Sequence, residues 1–363
     1  GSSSIKIALV NASTGKSVGV VTEPETEMSM EAVKNGWAEQ SPLDWWRYVC
    51  SGIDKLCTQE KIEKSDISGI GISYQMHGLV LIDKEGNPLR KSIIWCDSRA
   101  VGIGQQAYEE MGANTCNSHL LNSPSNFTAS KLKWVKENEP DIYAQIYKMM
   151  LPGDFIAYKL SGVVNTTVSG LSEGIFWDFK SDDIAEILLD HYGLEKEMIP
   201  DIVDTFSVQS KVNEKGASES GLQIGTPILY RAGDQSNNAL TLNVFNPGEV
   251  AATGGTSGVV YAVTDNLSVK ESSRVNNFAH VNYSPGKPAR IGKLLCINGA
   301  GIQYRWLLNN LNVSSYEEMN ILANEVPIGC DGVSMIPFGN GAERMLESKE
   351  VGTRIINLNL NNH

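Results

Sequence analysis

The run from Ile5 to Val10 is apolar and β-branched and alternates too little for a one-sided strand. The polar segment Asn11 to Lys16 and the run Ser17 to Thr22 follow it, so the stretch predicts a β-hairpin with both strands in a sheet. Ser41-Pro42 has the N-cap and first-turn proline of a helix start, and Trp45, Val49, Ile53 and Leu56 form one stripe of a helix reaching Gln59. The pair Trp45-Trp46 reads as core. Ile67 to Ser73 predicts a buried strand. Gly78 to Asp83, turning at Lys84 to Pro88 into Lys91 to Cys96, predicts a second hairpin. Ser130 to Glu137 predicts a helix on the Leu132 and Val135 stripe, and Pro152-Gly153-Asp154 the N-cap and first turn of another over Phe155 to Leu160. The polar, Gly- and Ser-rich stretch Lys211 to Gly221 reads as the approach to a domain boundary, followed by a buried strand from Gly225 to Tyr230. Strands and helices mix throughout, which places the chain in the α/β class.

A length of 363 residues exceeds one comfortable core and predicts two domains at about 100–200 residues each. With 41% hydrophobic and 20% charged residues, disorder is excluded as the main state. No apolar run approaches the roughly 18 residues of a membrane span, and no signal peptide is visible, so a cytoplasmic protein is the default expectation. Cys50, Cys57, Cys96, Cys116, Cys296 and Cys330 form no C-x-x-C pair and are expected to be buried thiols. A net charge of −12 without a basic block argues against nucleic acid and anionic membranes as partners. An anionic ligand would need backbone N–H groups, a few basic side chains or a metal ion.

Gly1 to Val10 and Gly254 to Val263 echo one another: each is a turn of glycine and hydroxyl residues running into a β-branched strand. Chance similarity of two such turns is the alternative. In Ser73-Tyr74-Gln75-Met76-His77-Gly78 a histidine follows a strand beside a glycine that permits close approach, and its imidazole can meet a hydroxyl. A histidine satisfied within its own turn is the plainer reading. Asp234, in Arg231 to Asn238, projects from a strand end, where a carboxylate can take a proton from an alcohol, and it can equally cap the next helix. Thr253 to Gly258 can present backbone N–H groups and hydroxyls to a phosphate, although it is neither a Walker A loop nor a dinucleotide fingerprint. The glycines of Asn298 to Gln303 can admit a nucleotide or serve helix packing, and Gly339 to Arg344 is a loop after the strand Ser334 to Pro337. Trp95 to Arg99 reads as an ion-paired corner behind the site.

Together these segments resemble the FGGY carbohydrate kinases, and among them the xylulose kinases most closely. The carrying segments are Tyr74 to Asp83, Ile94 to Arg99, Gly233-Asp234 and Gly254 to Gly258, in that order along essentially the whole chain. Met76-His77-Gly78 is similar to xylulose kinases, where glycerol kinases carry an Arg-Glu pair. The resemblance implies an actin-like ATPase (ribonuclease H-like) fold, with two domains around a catalytic cleft. Residues 1–245 would form the sugar-binding domain with the first phosphate loop, and residues 246–363 the nucleotide-binding domain. It implies Asp234 as the base that deprotonates the sugar hydroxyl and Gln75, Met76 and His77, with Asp234, as the sugar-binding set. Gly1, Ser2 and Ser3 would belong to the first phosphate loop and Gly254, Gly255, Thr256 and Ser257 to the second, with Gly299 and Gln303 at the nucleotide. ATP and Mg²⁺ are the implied cofactors, a ketopentose, D-xylulose first, the implied substrate, and a homodimer is left open.

The family carries a strand and a metal-placing aspartate before the glycine matching Gly1, and a further adenosine contact beyond the position of His363. A fragment of a longer protein, or an inactive form, is therefore expected, and the metal ligands stay unassigned. The alternatives are a kinase of L-ribulose, L-xylulose or glycerol, a non-catalytic sugar or nucleotide sensor on the same fold, and an ATPase of the actin or chaperone type. Retained Asp234 argues against the sensor, and Met76-His77 against the ATPase.

Overall fold

An antiparallel hairpin, Ile5–Val10 with Ser17–Glu23, is the first element of the computed structural model, which describes residues 2–255, 257–272, 274–297, 299–338, 342–346 and 349–359. The first strand is one-sided after all. Ile5, Ile7 and Leu9 are half-buried while Lys6, Ala8 and Val10 are exposed. The cause is a cover on one face only: the helix Pro42–Glu60 lies so close that a Cβ on Gly52 would stand 2.7 Å from Ile7 Cγ1. That helix fills the predicted span, and both Trp45 and Trp46 are buried as core.

The sheet that positions the site has three strands. Phe206–Lys211 runs antiparallel to Pro227–Gly233, which runs parallel to Ile70–Tyr74. The last of these begins three residues later than its hydrophobicity predicts, because a 3₁₀ turn at Lys64–Asp66 comes before it. The second predicted hairpin keeps its turn through bridges Leu79 to Ile93 and Ile82 to Pro88. Its strands find their main partners elsewhere: Val80–Ile82 pairs with Lys148–Met150, and Ser92–Ile93 with Glu39–Gln40. The helix Thr128–Asn138 buries Leu132 and Val135 completely.

The polar stretch Lys211 to Gly221 is no linker. Asn213 caps the helix Glu214–Ser220 by accepting the Gly216 N–H at 2.8 Å, and Gly216 approaches the carbonyl of Leu160 to the point where a Cβ would stand 2.0 Å from it. Polar composition here marks the outer face of a packed helix. The cysteines also depart from expectation: Cys57 and Cys116 are buried, Cys50 and Cys296 half-buried, and Cys96 and Cys330 exposed.

A second, four-stranded antiparallel sheet follows, in the order Val250–Gly254, Gly258–Thr264, Ile291–Ile297, Asn276–Ala279. Its edge strand is wholly buried because it is sewn to the first half of the chain. Asn277 N–H donates to Asn122 Oδ1 at 2.9 Å, Asn277 Nδ2 to the carbonyl of Leu121 at 2.9 Å, and Ala279 N–H to Ser172 Oγ at 2.7 Å. Phe278, Ala279 and Ile291 share one apolar core with Leu79, Leu132 and Phe176. Among the described residues no helix is long and apolar enough to cross a membrane.

Candidate active site

Parallel pairing brings the candidate chemistry together. Gly233 is the register partner of Tyr74, so Asp234 and the segment Gln75-Met76-His77 leave adjacent strands at their C-terminal ends, the edge where α/β sheets bind ligands. Asp234 is the first residue of the helix Asp234–Thr241, and Gly233, not Asp234, takes the N-cap position. The Asp234 carboxyl meets the main-chain N–H groups of Asp234 and Gln235 at the start of that helix. Burial raises its carboxyl above the usual range, in the direction that suits a base working near neutrality.

His77 sits in the left-handed region at φ 62°, a conformation that needs support in a non-glycine residue. Lys131 supplies it. This lysine is completely buried, and its Nζ donates to the carbonyl oxygens of His77 and Ile94, both at 2.9 Å. Burial lowers its pKa to about 7, and a neutral amine has two N–H groups for those two acceptors. The ring of His77 is fixed as well. Its Nδ1 lies 2.8 Å from the carbonyl oxygen of Glu173, which can only accept, so Nδ1 carries a proton. Phe127 packs edge-on against the imidazole at 4.7 Å between centroids, and Phe278 lies at 5.4 Å.

Met76 is buried against the Cα of Gly233, where a Cβ would stand 2.6 Å from Met76 Cγ. Gln75 is buried, and its Nε2 reaches Gln40 Oε1 at 3.5 Å. Gln40 in turn donates to the carbonyl of Ser2 at 2.6 Å, while Trp95 Nε1 donates to Ser2 Oγ at 3.1 Å and the carbonyl of Ser3 accepts Met28 N–H at 2.8 Å. A polar chain through Gln40 thus ties Ser2 to Gln75. Gly1 lies outside the described residues.

Behind the site, Asp97 and Arg99 make the predicted ion pair at 2.7 Å, and Arg99 also reaches Glu39 at 2.7 Å. The Arg99 guanidinium is held between Trp37 and Trp134, at 3.8 and 4.7 Å from their rings. Beneath Asp234, Arg231 Nε lies 3.2 Å from Asp154 Oδ1, both fully buried, and Arg231 donates to Asn165 Oδ1 at 2.6 Å. Asp154 also reaches back to the Leu151 N–H at 3.2 Å, closing the first turn of the helix Pro152–Ser161 as expected.

On the other sheet, the turn after Gly254 lies against the start of the helix Gly301–Asn310: the Gly301 N–H donates to the carbonyl of Gly255 at 2.9 Å. Gly254 has open space where a Cβ would stand, and Gly255 nearly so, with only Ser257 O at 3.7 Å. Packing does not demand these glycines, so an open backbone surface fits the approach of a phosphate. Gly299 differs, since a Cβ there would meet the carbonyl of Pro337 at 1.6 Å, which identifies it as a packing glycine. Gln303 is half-buried in the first turn of the helix. Thr256, Asn298 and Gly339 to Gly341 lie outside the described residues. Among the described residues no group of three His, Cys, Asp or Glu is placed to hold a metal ion.

Two residues that hold His77 escaped the sequence. Lys131 occupies the buried stripe of its helix, in step with Thr128, Leu132 and Val135, and a lysine on an apolar stripe is the signal that could have found it. Glu173 stands within an unbroken buried run, Asn165 to Phe179, with nothing in its spacing to mark it.

A carboxylate and a histidine segment at adjacent strand ends, with glycine-lined turns on a second sheet, fit a phosphotransferase of the actin-like ATPase fold. The chain belongs to the FGGY family of carbohydrate kinases, whose N-terminal domain model matches residues 1–241, and these enzymes phosphorylate a sugar hydroxyl. It is 27% identical over 363 residues to a xylulose kinase of Staphylococcus xylosus, across 99% of this chain and 73% of that protein. A crystal structure titled "xyloylose kinase" from Brucella ovis matches with a TM-score of 0.86 at 25% identity, over 99% of this chain and 72% of that one. A gluconate kinase from Lactobacillus acidophilus matches with a TM-score of 0.86 at 21% identity, over 100% of this chain and 72% of its own, a likeness of fold alone. The chain spans about three quarters of the length of these proteins.

Proposed function

We propose that the protein is an ATP-dependent ketopentose kinase that converts D-xylulose to D-xylulose 5-phosphate with Asp234 as general base. The observation that carries the proposal is the pairing of Gly233 with Tyr74, which sets the base beside Gln75-Met76-His77 on neighbouring strand ends. The curated relative from Staphylococcus xylosus, a xylulose kinase, supports the choice of sugar.

In the proposed reaction His77 and Gln75 hold sugar hydroxyls while Asp234 takes the proton of the accepting hydroxyl. That oxygen bonds to the γ-phosphorus of ATP, the bond to the β-phosphate oxygen breaks, and ADP leaves. The transition state of such a transfer is loose, so positioning and charge stabilisation carry the catalysis. Ser2 and Ser3 on one side and Gly254, Gly255 and Ser257 on the other would meet phosphate oxygens through backbone N–H and hydroxyl donors. Mg²⁺ bound to the nucleotide phosphates would neutralise charge there. The proposed domain division lies near residue 245, with the strand Asn276–Ala279 bridging back to the sugar-binding side.

Ketopentoses differ in single hydroxyl configurations, which a few hydrogen bonds discriminate. An ADP-release assay across D-xylulose, D-ribulose, L-ribulose, L-xylulose and glycerol tests the choice. The highest kcat/KM is expected for D-xylulose. Preference for another sugar would reassign the substrate, and no turnover with any would favour a sensor.

A further inference from the structure

Glu173 ends the helix Val168–Glu173 and is 1% exposed. Its main chain takes the His77 ring proton, at 2.8 Å. Its carboxyl is met by the backbone N–H of His77 and the hydroxyl of Tyr74, and Oε2 presses on Gly233 so closely that a Cβ there would stand 2.2 Å away. Oε1 is buried with no hydrogen-bond partner. One residue therefore touches both halves of the candidate site: His77 at its ring and at its main chain, and the glycine that precedes Asp234.

Resting on the kinase reading above, we propose that Glu173 is a positioning residue that sets the spacing between His77 and Asp234 and acts as a hydrogen-bond donor through its second oxygen. The geometry that calls for a donor is the buried, unpartnered Oε1, and burial pushes the carboxyl toward its acid form. Burial raises its pKa well above the usual range, the carboxylates of Asp234 and Asp154 add to the effect, and the His77 N–H and Tyr74 hydroxyl only partly oppose it. The other groups turned toward it do not change that sign. Tyr261 faces it from the strand Gly258–Thr264 and stays neutral, and the Arg231 guanidinium is engaged by Asp154. An acid has a proton to place on Asp234 or on the bound sugar, and an orphaned buried oxygen is where such a proton has use. An ionised Glu173 would instead put a second negative charge beside the base and against the developing alkoxide.

The test compares Glu173→Gln with Glu173→Ala in the whole protein, by steady-state kinetics and by ¹⁵N NMR of His77. Glutamine keeps the shape, the acceptor and a donor but cannot ionise, so kcat and sugar KM are expected within about threefold of wild type. Ionisation of Glu173 at high pH is expected to give the wild type an alkaline fall in kcat/KM that this variant lacks. Alanine is expected to raise the sugar KM by roughly tenfold or more with the ATP KM unchanged, the loss of about one hydrogen bond to a buried group. The carbonyl that accepts Nδ1–H belongs to the main chain and is present in all three proteins, so Nδ1–H is expected in each. The main-chain amide of His77, read in the same ¹⁵N spectra, is expected to keep its wild-type shift in the glutamine variant and to move in the alanine variant. The proposal is overturned by a glutamine variant as impaired as alanine, or by an alanine variant with unchanged sugar KM and an unmoved His77 amide. If wild type phosphorylates no sugar, the kinase reading falls and the amide shifts alone decide this one. If the alanine variant does not fold, the glutamine variant decides it.

Discussion

Tyr74 and Gly233 face one another in register across two parallel strands, and that pairing sets Asp234 beside Gln75-Met76-His77, the proposed sugar side of the site. Shifting the register by one residue would turn side chains to the opposite face of the sheet and separate Asp234 from Gln75. The pairing is held from beneath by the buried Arg231 and Asp154, whose charges are matched within 3.2 Å.

Gly233 is a glycine for steric reasons, because its φ of −60° is open to any residue. Gly233→Ala places a methyl 2.2 Å from Glu173 Oε2 and 2.6 Å from Met76 Cγ. Overpacking of this kind costs about 1–3 kcal/mol. The expected outcome is that loss in chemical denaturation, with a drop in kcat/KM of roughly a hundredfold from displacement of Asp234. An alanine variant with wild-type kinetics would show that the base is not held by this contact.

Lys131→Met removes the donor to two buried carbonyls, each worth about 1–3 kcal/mol when left unpaired. Sugar KM is expected to rise while ATP KM stays, since His77 loses its support. The native pKa of about 7 lies below the ordinary value of 10.5, so between these pH values the unfolded chain binds more protons than the folded one. Wild-type stability measured against the methionine variant should therefore rise with pH from about 7 upward. A flat difference would mean that the lysine is charged in the fold.

His280 is completely buried. Its Nε2 lies 3.0 Å from the carbonyl of Val244, so Nε2 carries the proton, and its Nδ1 lies 3.0 Å from the hydroxyl of Tyr261, which can donate to the neutral ring. Burial lowers its pKa from 6.5 to about 4. Here too the unfolded state binds the extra proton, so this contribution is complete above pH 6.5 and is lost as the pH falls toward about 4. The loss amounts to about 3 kcal/mol at most. Denaturation of wild type and His280→Gln at pH 7 and pH 4.5 checks it, the wild type losing more over that interval.

Much of the fold was legible because periodic burial writes itself into sequence. The stripes of Pro42–Glu60 and Thr128–Asn138, the strand leading to Asp234 and the turn before Gly258–Thr264 all stand where spacing puts them. What escaped depends on distant partners. Nothing local in Val80–Ile82 shows that Lys148–Met150 is its partner, and the polar skin of Glu214–Ser220 looks like a linker until Gly216 is seen against Leu160. The site divides in the same way. Asp234 and His77 stand at strand ends, where sequence points to them. Glu173, Lys131 and Phe278 reach the site from other elements and become functional only through what they touch.

The central claim is that Asp234 is the base. ADP release with D-xylulose, measured for wild type and Asp234→Asn at matched thermal stability, tests it most directly. General-base assistance is worth about 10²–10⁴-fold, so kcat is expected to fall by that range while the melting temperature and ATP binding are unchanged. Turnover of the asparagine variant near the wild-type rate would contradict the account.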